Sequence, residues 1–213
     1  MTSTPSIAGD ASPVEPQKGM LMETIKEQHY IGCCGLYCGL CPRFTSSAPS
    51  RCTGCQLGPQ HDYCSVYRCC ATKHGLGTCA ECDEYPCERL LRALGTDEGL
   101  DSFVSHKPAR PNLDRIREAG LDVFLQEHKE RRLLAEHLIA SYNEGRSMSF
   151  YCRACALLPP DLVREAIGEV DSMLTSGQID SSDLKAKAKM TRSLIQERAT
   201  AAGIDLKLRT KKR

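Results

Sequence analysis

CCGLYCGLCPRFTSSAPSRCTGCQLGPQHDYCSVYRCCATKHGLGTCAECDEYPC, residues 33–87, carries twelve of the chain's fourteen cysteines. Its large apolar side chains are too few to build a core of their own. A segment below roughly 70 to 80 residues draws only ~3 to 5 kcal/mol from such a core, so disulfides or a structural metal must order it. Three Cys-x2-Cys pairs punctuate the stretch, Cys38/Cys41, Cys52/Cys55 and Cys79/Cys82. Two thiolates on a tetrahedral shell of ~2.3 Å radius sit about 3.8 Å apart, a spacing that a four-residue turn can present.

The remainder of the chain decides between metal and disulfide. Among 213 residues, 28 are basic and 27 acidic, a net charge of +1, so no global field draws the protein to nucleic acid or membrane. No apolar run approaches the ~20 residues of a membrane span, and Met1 to Met22 lacks the apolar centre of a secretory signal. These features predict a cytoplasmic protein. In a reducing compartment thiols stay free unless a metal takes them, which favours ligation.

Working outward, residues 1–22 read as a disordered tail rich in Pro, Ser, Thr, Gly and Ala. Residues 23–95 form the cysteine-rich metal-binding module, entered by a short helix or strand ending near Gln28. Its exit is a helix over Tyr85 to Leu94 that begins at Pro86. Residues 96–111 are a polar linker and 112–203 a helical region. Within the latter, Asn112 caps a helix running to Ala119, with Gly120 as its stop. Leu121 to Tyr142 follows, with Phe124, Leu134, Leu138 and Tyr142 at approximate helical spacing and Glu127, Lys129, Glu130, Arg131 and Arg132 facing water.

Asp161 caps the cleanest amphipathic stripe, Leu162, Val163, Ala166, Ile167, Val170, Met173 and Leu174, which ends by Gly177. A further helix over Asp180 to Ala202 is charged, weakly amphipathic and expected to pack loosely. Residues 204–213 are a basic tail, read as solvated. The fold class predicted is α+β or mainly α, a small irregular metal-bound module packed with a helical C-terminal half.

The module offers more sulfur than two four-thiolate sites need. Cys33/Cys34 and Cys69/Cys70 are adjacent pairs whose members seldom point at one ion, so one of each is a spare and ten candidates remain. Zinc suits the separated pairs and is the metal read first. Iron–sulfur is the alternative, because Cys34-x3-Cys38-x2-Cys41-Pro42 is a tight run followed by proline. Arg43, Arg51, Arg68 and Lys73 could offset the charge of either. That run also has the spacing of radical S-adenosylmethionine enzymes, but Leu40 precedes its third cysteine. No alternation of strands and helices follows to build their barrel.

CGLYCGLCP (34–42), CTGC (52–55), CSVYRC (64–69) and CAECDEYPCERL (79–90) together resemble the cysteine-rich family called domain of unknown function 3795. NLDRIREAGLDVFLQEH (112–128) is similar to the segment that often follows in that family, and SYNEGRSMSFYC (141–152) extends the likeness. The resemblance implies metal binding and no established activity. It implies as ligands Cys34, Cys38, Cys41, Cys52, Cys55, Cys64, Cys69, Cys79, Cys82 and Cys87, with Cys33 and Cys70 outside the pattern.

Cys152/Cys155 form a fourth pair. A redox dithiol or a metal half-site is weighed against two thiols on a helix turn facing the core, and the last is favoured. No catalytic constellation is recognised: His29, His106, His128 and His137 lack a nucleophile or carboxylate at a telling spacing, and no phosphate-binding glycine loop is present. The reading is therefore a metal-binding protein whose thiolate sites order a module for structure or interaction, with an iron–sulfur redox or electron-transfer protein as the alternative. A protein partner is left open; membrane and nucleic acid are not expected.

Overall fold

The computed structural model describes residues 25–58, 60–95 and 101–210. The tail expected over 1–22, the start of the expected linker and the last three residues of the basic tail lie outside these. The described chain is mainly helical. Among the described residues the sole β pairing is an isolated bridge between Ile31 and Tyr37, so the mainly α branch of the expectation holds. Among the described residues no helix is long and apolar enough to cross a membrane.

The described residues between 27 and 82 form short helical turns and loops, the longest a continuous helical stretch over residues 65–73 that passes from α to π geometry at Arg68. Six further helices follow: α1 (Glu88–Leu94), α2 (Ala109–Ala119), α3 (Leu121–Tyr142), α4 (Met148–Leu157), α5 (Pro160–Thr175) and α6 (Leu184–Ala201). Gly120, at φ 90°, divides α2 from α3 in a conformation that an L side chain resists. The buried stripe of α5, Val163, Ala166, Ile167 and Val170, is the one its periodicity predicts.

Several expectations are corrected. The helix leaving the module begins at Glu88 with Cys87 at its N-cap, two residues later than Pro86 suggested. The linker ends early, because α2 starts at Ala109 and places Asn112 one turn inside, where its buried side chain donates to the Gly35 carbonyl at 2.8 Å. A capping residue by composition serves here as a bolt between module and helix.

On α3 the buried stripe is Phe124, His128, Ala135, Leu138 and Tyr142, with Leu134 half-buried beside it. Arg131 and Arg132 do not simply face water. The Arg131 guanidinium donates to the Cys155 and Leu158 carbonyls at 2.9 and 2.5 Å, and Arg132 lies over the Tyr30 ring, 4.2 Å from its centroid. Their long stems cover apolar surface while the heads find acceptors.

The loose packing expected for α6 is also corrected. The helix begins at Leu184, capped by Asp183, whose carboxylate accepts the Lys185 and Ala186 amides at 3.0 and 2.9 Å. Ala188, Thr191, Leu194, Ile195 and Ala199 are buried along it. Small residues let this helix approach its neighbours closely, a contact that hydrophobicity averaged along the helix undervalues. Nor is the start of the basic tail simply solvated. Leu206 is buried, its carbonyl accepts from Arg153 at 3.1 Å, and Arg209 pairs with the fully buried Asp101 carboxylate at 2.9 Å.

One apolar core runs from Ile31, Tyr37 and Leu40 in the module through Leu113, Phe124, Leu138 and Tyr151 to Ile195 and Leu206. The module thus borrows its core from the helices. Gly35 is the closest point of contact: a Cβ there would stand 2.2 Å from the Ala109 carbonyl oxygen. His128 stacks on Tyr37 at 4.8 Å and bonds the Tyr30 carbonyl through Nε2 at 3.2 Å. Arg117 donates to the Ala80 and Cys82 carbonyls at 2.8 and 3.2 Å, bracing the third Cys-x2-Cys turn from α2.

Candidate metal centre

The fold gathers the module's sulfurs into three neighbouring groups. Cys38, Cys41, Cys52 and Cys55, the first two Cys-x2-Cys pairs, line one cavity of about 290 Å³ walled by Tyr37, Phe44 and Phe103. Cys33 and Cys79 both hydrogen-bond to Cys70, with Cys34 and Cys64 close by. Cys69, Cys82 and Cys87 surround a small void of about 20 Å³ together with His74, Cys70 and Cys79. Cys34 feels both Cys55 and Cys64, so it lies where the first two groups adjoin.

Chain geometry explains the first group. The Cys38 turn closes through Cys41 N–H to the Cys38 carbonyl at 3.0 Å, and Cys52 N–H donates to the Arg43 carbonyl at 2.9 Å. The second pair is thereby laid against the first. Gly54, at φ 100°, lets the Cys52–Cys55 turn pass within contact distance of the Phe44 ring.

Several sulfurs face main-chain amides. Cys52 Sγ accepts Gly54 N–H, Cys64 Sγ accepts Tyr67 N–H and Cys38 Sγ accepts Cys55 N–H, each at 3.4 Å. The amides of Arg43 and Phe44 reach Cys41, and that of Leu36 reaches Cys34. Amide hydrogen bonds favour the charged form of an acceptor, and at Cys34, Cys38 and Cys41 they work against burial.

Packing opposes that charge. Burial pushes the Cys34 thiol up to about 12 and raises that of Cys41. In the first group the Cys38 thiol donates to Cys55, which lowers Cys55 to about 7 and raises Cys38. In the second, Cys70 accepts from Cys33 and Cys79 and falls to about 4, while both donors rise. These two groups therefore each favour one thiolate, at Cys55 and at Cys70, with the protons held on Cys38 in the first and on Cys33 and Cys79 in the second. A divalent cation could take the place of those protons. Among the described residues no three His, Cys, Asp or Glu side chains stand in the arrangement of a closed ion site. The donor chemistry fits a metal, and the sulfurs must draw together to hold one.

Of the ten candidates, four share the first cavity, three surround the small void, Cys79 bridges that void to the second group, and Cys34 and Cys64 flank that group. Spacing sets aside one cysteine of each adjacent pair, and the family resemblance leaves Cys33 and Cys70 as the two outside its pattern. In space, both touch Cys79 or its partner. The Cys79 amide bonded to the Cys33 carbonyl at 2.8 Å creates this proximity, and no local pattern announces it.

Cys152 and Cys155 are buried on α4, as the core-facing reading expected. Burial raises Cys152 to about 11 and raises Cys155 as well. Cys152 Sγ also approaches Thr45 Oγ1 at 4.0 Å, so α4 packs directly beneath the first group. No protein-family model, curated protein or solved structure matches the chain.

Proposed function

We propose that the chain is a metal-binding protein in which cysteine thiolates hold zinc, so that metal orders the module against α2, α3 and α4 for a structural or interaction role. A kinship with the cysteine-rich family named above is part of this proposal. The observation that carries it is the convergence of Cys38, Cys41, Cys52 and Cys55 on one cavity, with Cys38, Cys41 and Cys52 facing main-chain amides. Two Cys-x2-Cys turns presented to one space are the ligand set of a closed zinc site. Metal binding would then be coupled to folding of residues 33–87.

A second reading has its own support. Four thiolates on one zinc ion would stand about 3.8 Å apart and close the space between them. A cavity of about 290 Å³ with aromatic walls suits a larger group, an iron–sulfur cluster held by the same four cysteines. Metal and acid-labile sulfide content of protein purified without oxygen separates the two. Zinc without sulfide supports the structural site, and iron with matching sulfide supports the cluster. Neither metal, together with protease resistance of the module unchanged by strong chelation, would sink both.

A further inference from the structure

Away from the cysteines, the N-terminal end of α4 and one face of α6 enclose an open groove of about 1050 Å³. Its cations are Arg146, Lys185, Lys189 and Arg192, all exposed, and its carboxylates are Glu144 and Glu197. Elsewhere in the helical half, several arginines are taken up by carboxylates. Arg115 pairs with Glu127, Arg132 with Glu27 and Glu136, Arg164 with Glu130 and Asp161, and Arg198 with Glu165 and Glu169. Among the described residues, none of the four groove cations forms a direct ion pair; Glu144 lies within electrostatic reach of Arg192 and Arg146, and Lys185 and Lys189 face no such carboxylate contact. Glu197 is instead engaged by the Ser193 hydroxyl at 2.9 Å.

The arrangement is linear rather than convergent. Lys185, Lys189 and Arg192 follow one face of α6, and at 1.5 Å per residue they are strung along about 10 Å of helix axis. A compact anion would meet only one or two of them. An extended polyanion would meet all three, and Arg146 across the groove. Phe150 lines the same groove, with the Arg192 guanidinium 5.6 Å from its ring centroid. Repeated charge beside an aromatic face and a stackable guanidinium is how proteins hold single strands without reading their sequence. An acidic peptide would use the charges and leave the ring idle.

We propose that this groove binds single-stranded nucleic acid, its phosphates along Lys185, Lys189, Arg192 and Arg146 and a base stacked at Phe150. The site lies outside the cysteine-rich module and goes beyond the metal-binding reading, so it stands or falls independently of which metal the thiolates hold. It also departs from the expectation drawn from the near-neutral net charge, which averages over a surface whose other arginines are largely neutralised in pairs.

The test is fluorescence anisotropy of labelled oligothymidylate and oligouridylate with the full chain, purified with its native metal content, between about 50 and 200 mM salt. Four phosphate contacts predict a slope of log K against log salt of about −3, at roughly −0.7 per contact for single strands. The pair Lys185→Glu and Lys189→Glu, both on the exposed face, should weaken binding at least tenfold with an unchanged thermal midpoint. Lys129→Glu, exposed on α3, should leave binding as it was. No salt-dependent binding at the low-salt end, or equal binding by the double variant, overturns the proposal. Displacement by polyglutamate at equal charge concentration also overturns it, in favour of an acidic polypeptide.

Discussion

Replacing Gly35 by alanine should undock the module from the helices. Gly35 sits at φ 83°, and its added Cβ would stand 2.2 Å from the Ala109 carbonyl oxygen and 2.9 Å from Leu113 Cγ. The left-handed conformation alone costs a non-glycine residue about 1 to 2 kcal/mol. The overlap is with backbone, so the first turn of α2 must retreat by about 1 Å, a distortion comparable to overpacking a core at about 1 to 3 kcal/mol. Retreat also stretches the buried bond from Asn112 to the Gly35 carbonyl, now 2.8 Å.

The total expected is about 2 to 5 kcal/mol, which for a chain of this size lowers the thermal midpoint by about 4 to 20 °C. Gly75→Ala is the matched control: φ is 67°, but nothing lies within 4 Å of the added carbon, so only the conformational part remains. The assay is thermal unfolding by far-UV circular dichroism at equal metal content. Equal shifts for the two variants would refute the claim that the Gly35 contact locks module to helices.

Two further expectations concern buried groups. Burial holds His128 down at about 4; the Tyr30 carbonyl opposes this, and Arg132 and Arg131 add to it. The unfolded chain binds this proton from about pH 6.5 downward and the folded chain only near 4, so the contribution is fully present above 6.5 and is lost as pH falls through that window. About 3 kcal/mol is at stake, and His128→Gln should show a flatter urea midpoint against pH; parallel curves would remove His128 from the account. Cys152 and Cys155, buried and with raised thiols, should resist alkylation in the native protein and label on unfolding. Prompt native labelling at both would contradict their place in the core.

The twelve cysteines and their spacing determined that residues 33–87 could not be an ordinary core, because the Cys-x2-Cys pairs are local and turns of four residues present them whatever surrounds them. Periodicity likewise determined α3 and α5, and Gly120 as the break before α3, since those signals lie within one helix or one turn. Tertiary structure alone decided the rest. It brought Cys33 and Cys70 to Cys79, seated Asn112 against Gly35 and drew Arg131 onto the end of α4. It also buried Leu206 in a tail whose basic residues read as solvated. Each of these depends on a partner distant in sequence: hydrogen bonds and packing that satisfy a residue from another element leave no periodic trace in the residue's own neighbourhood.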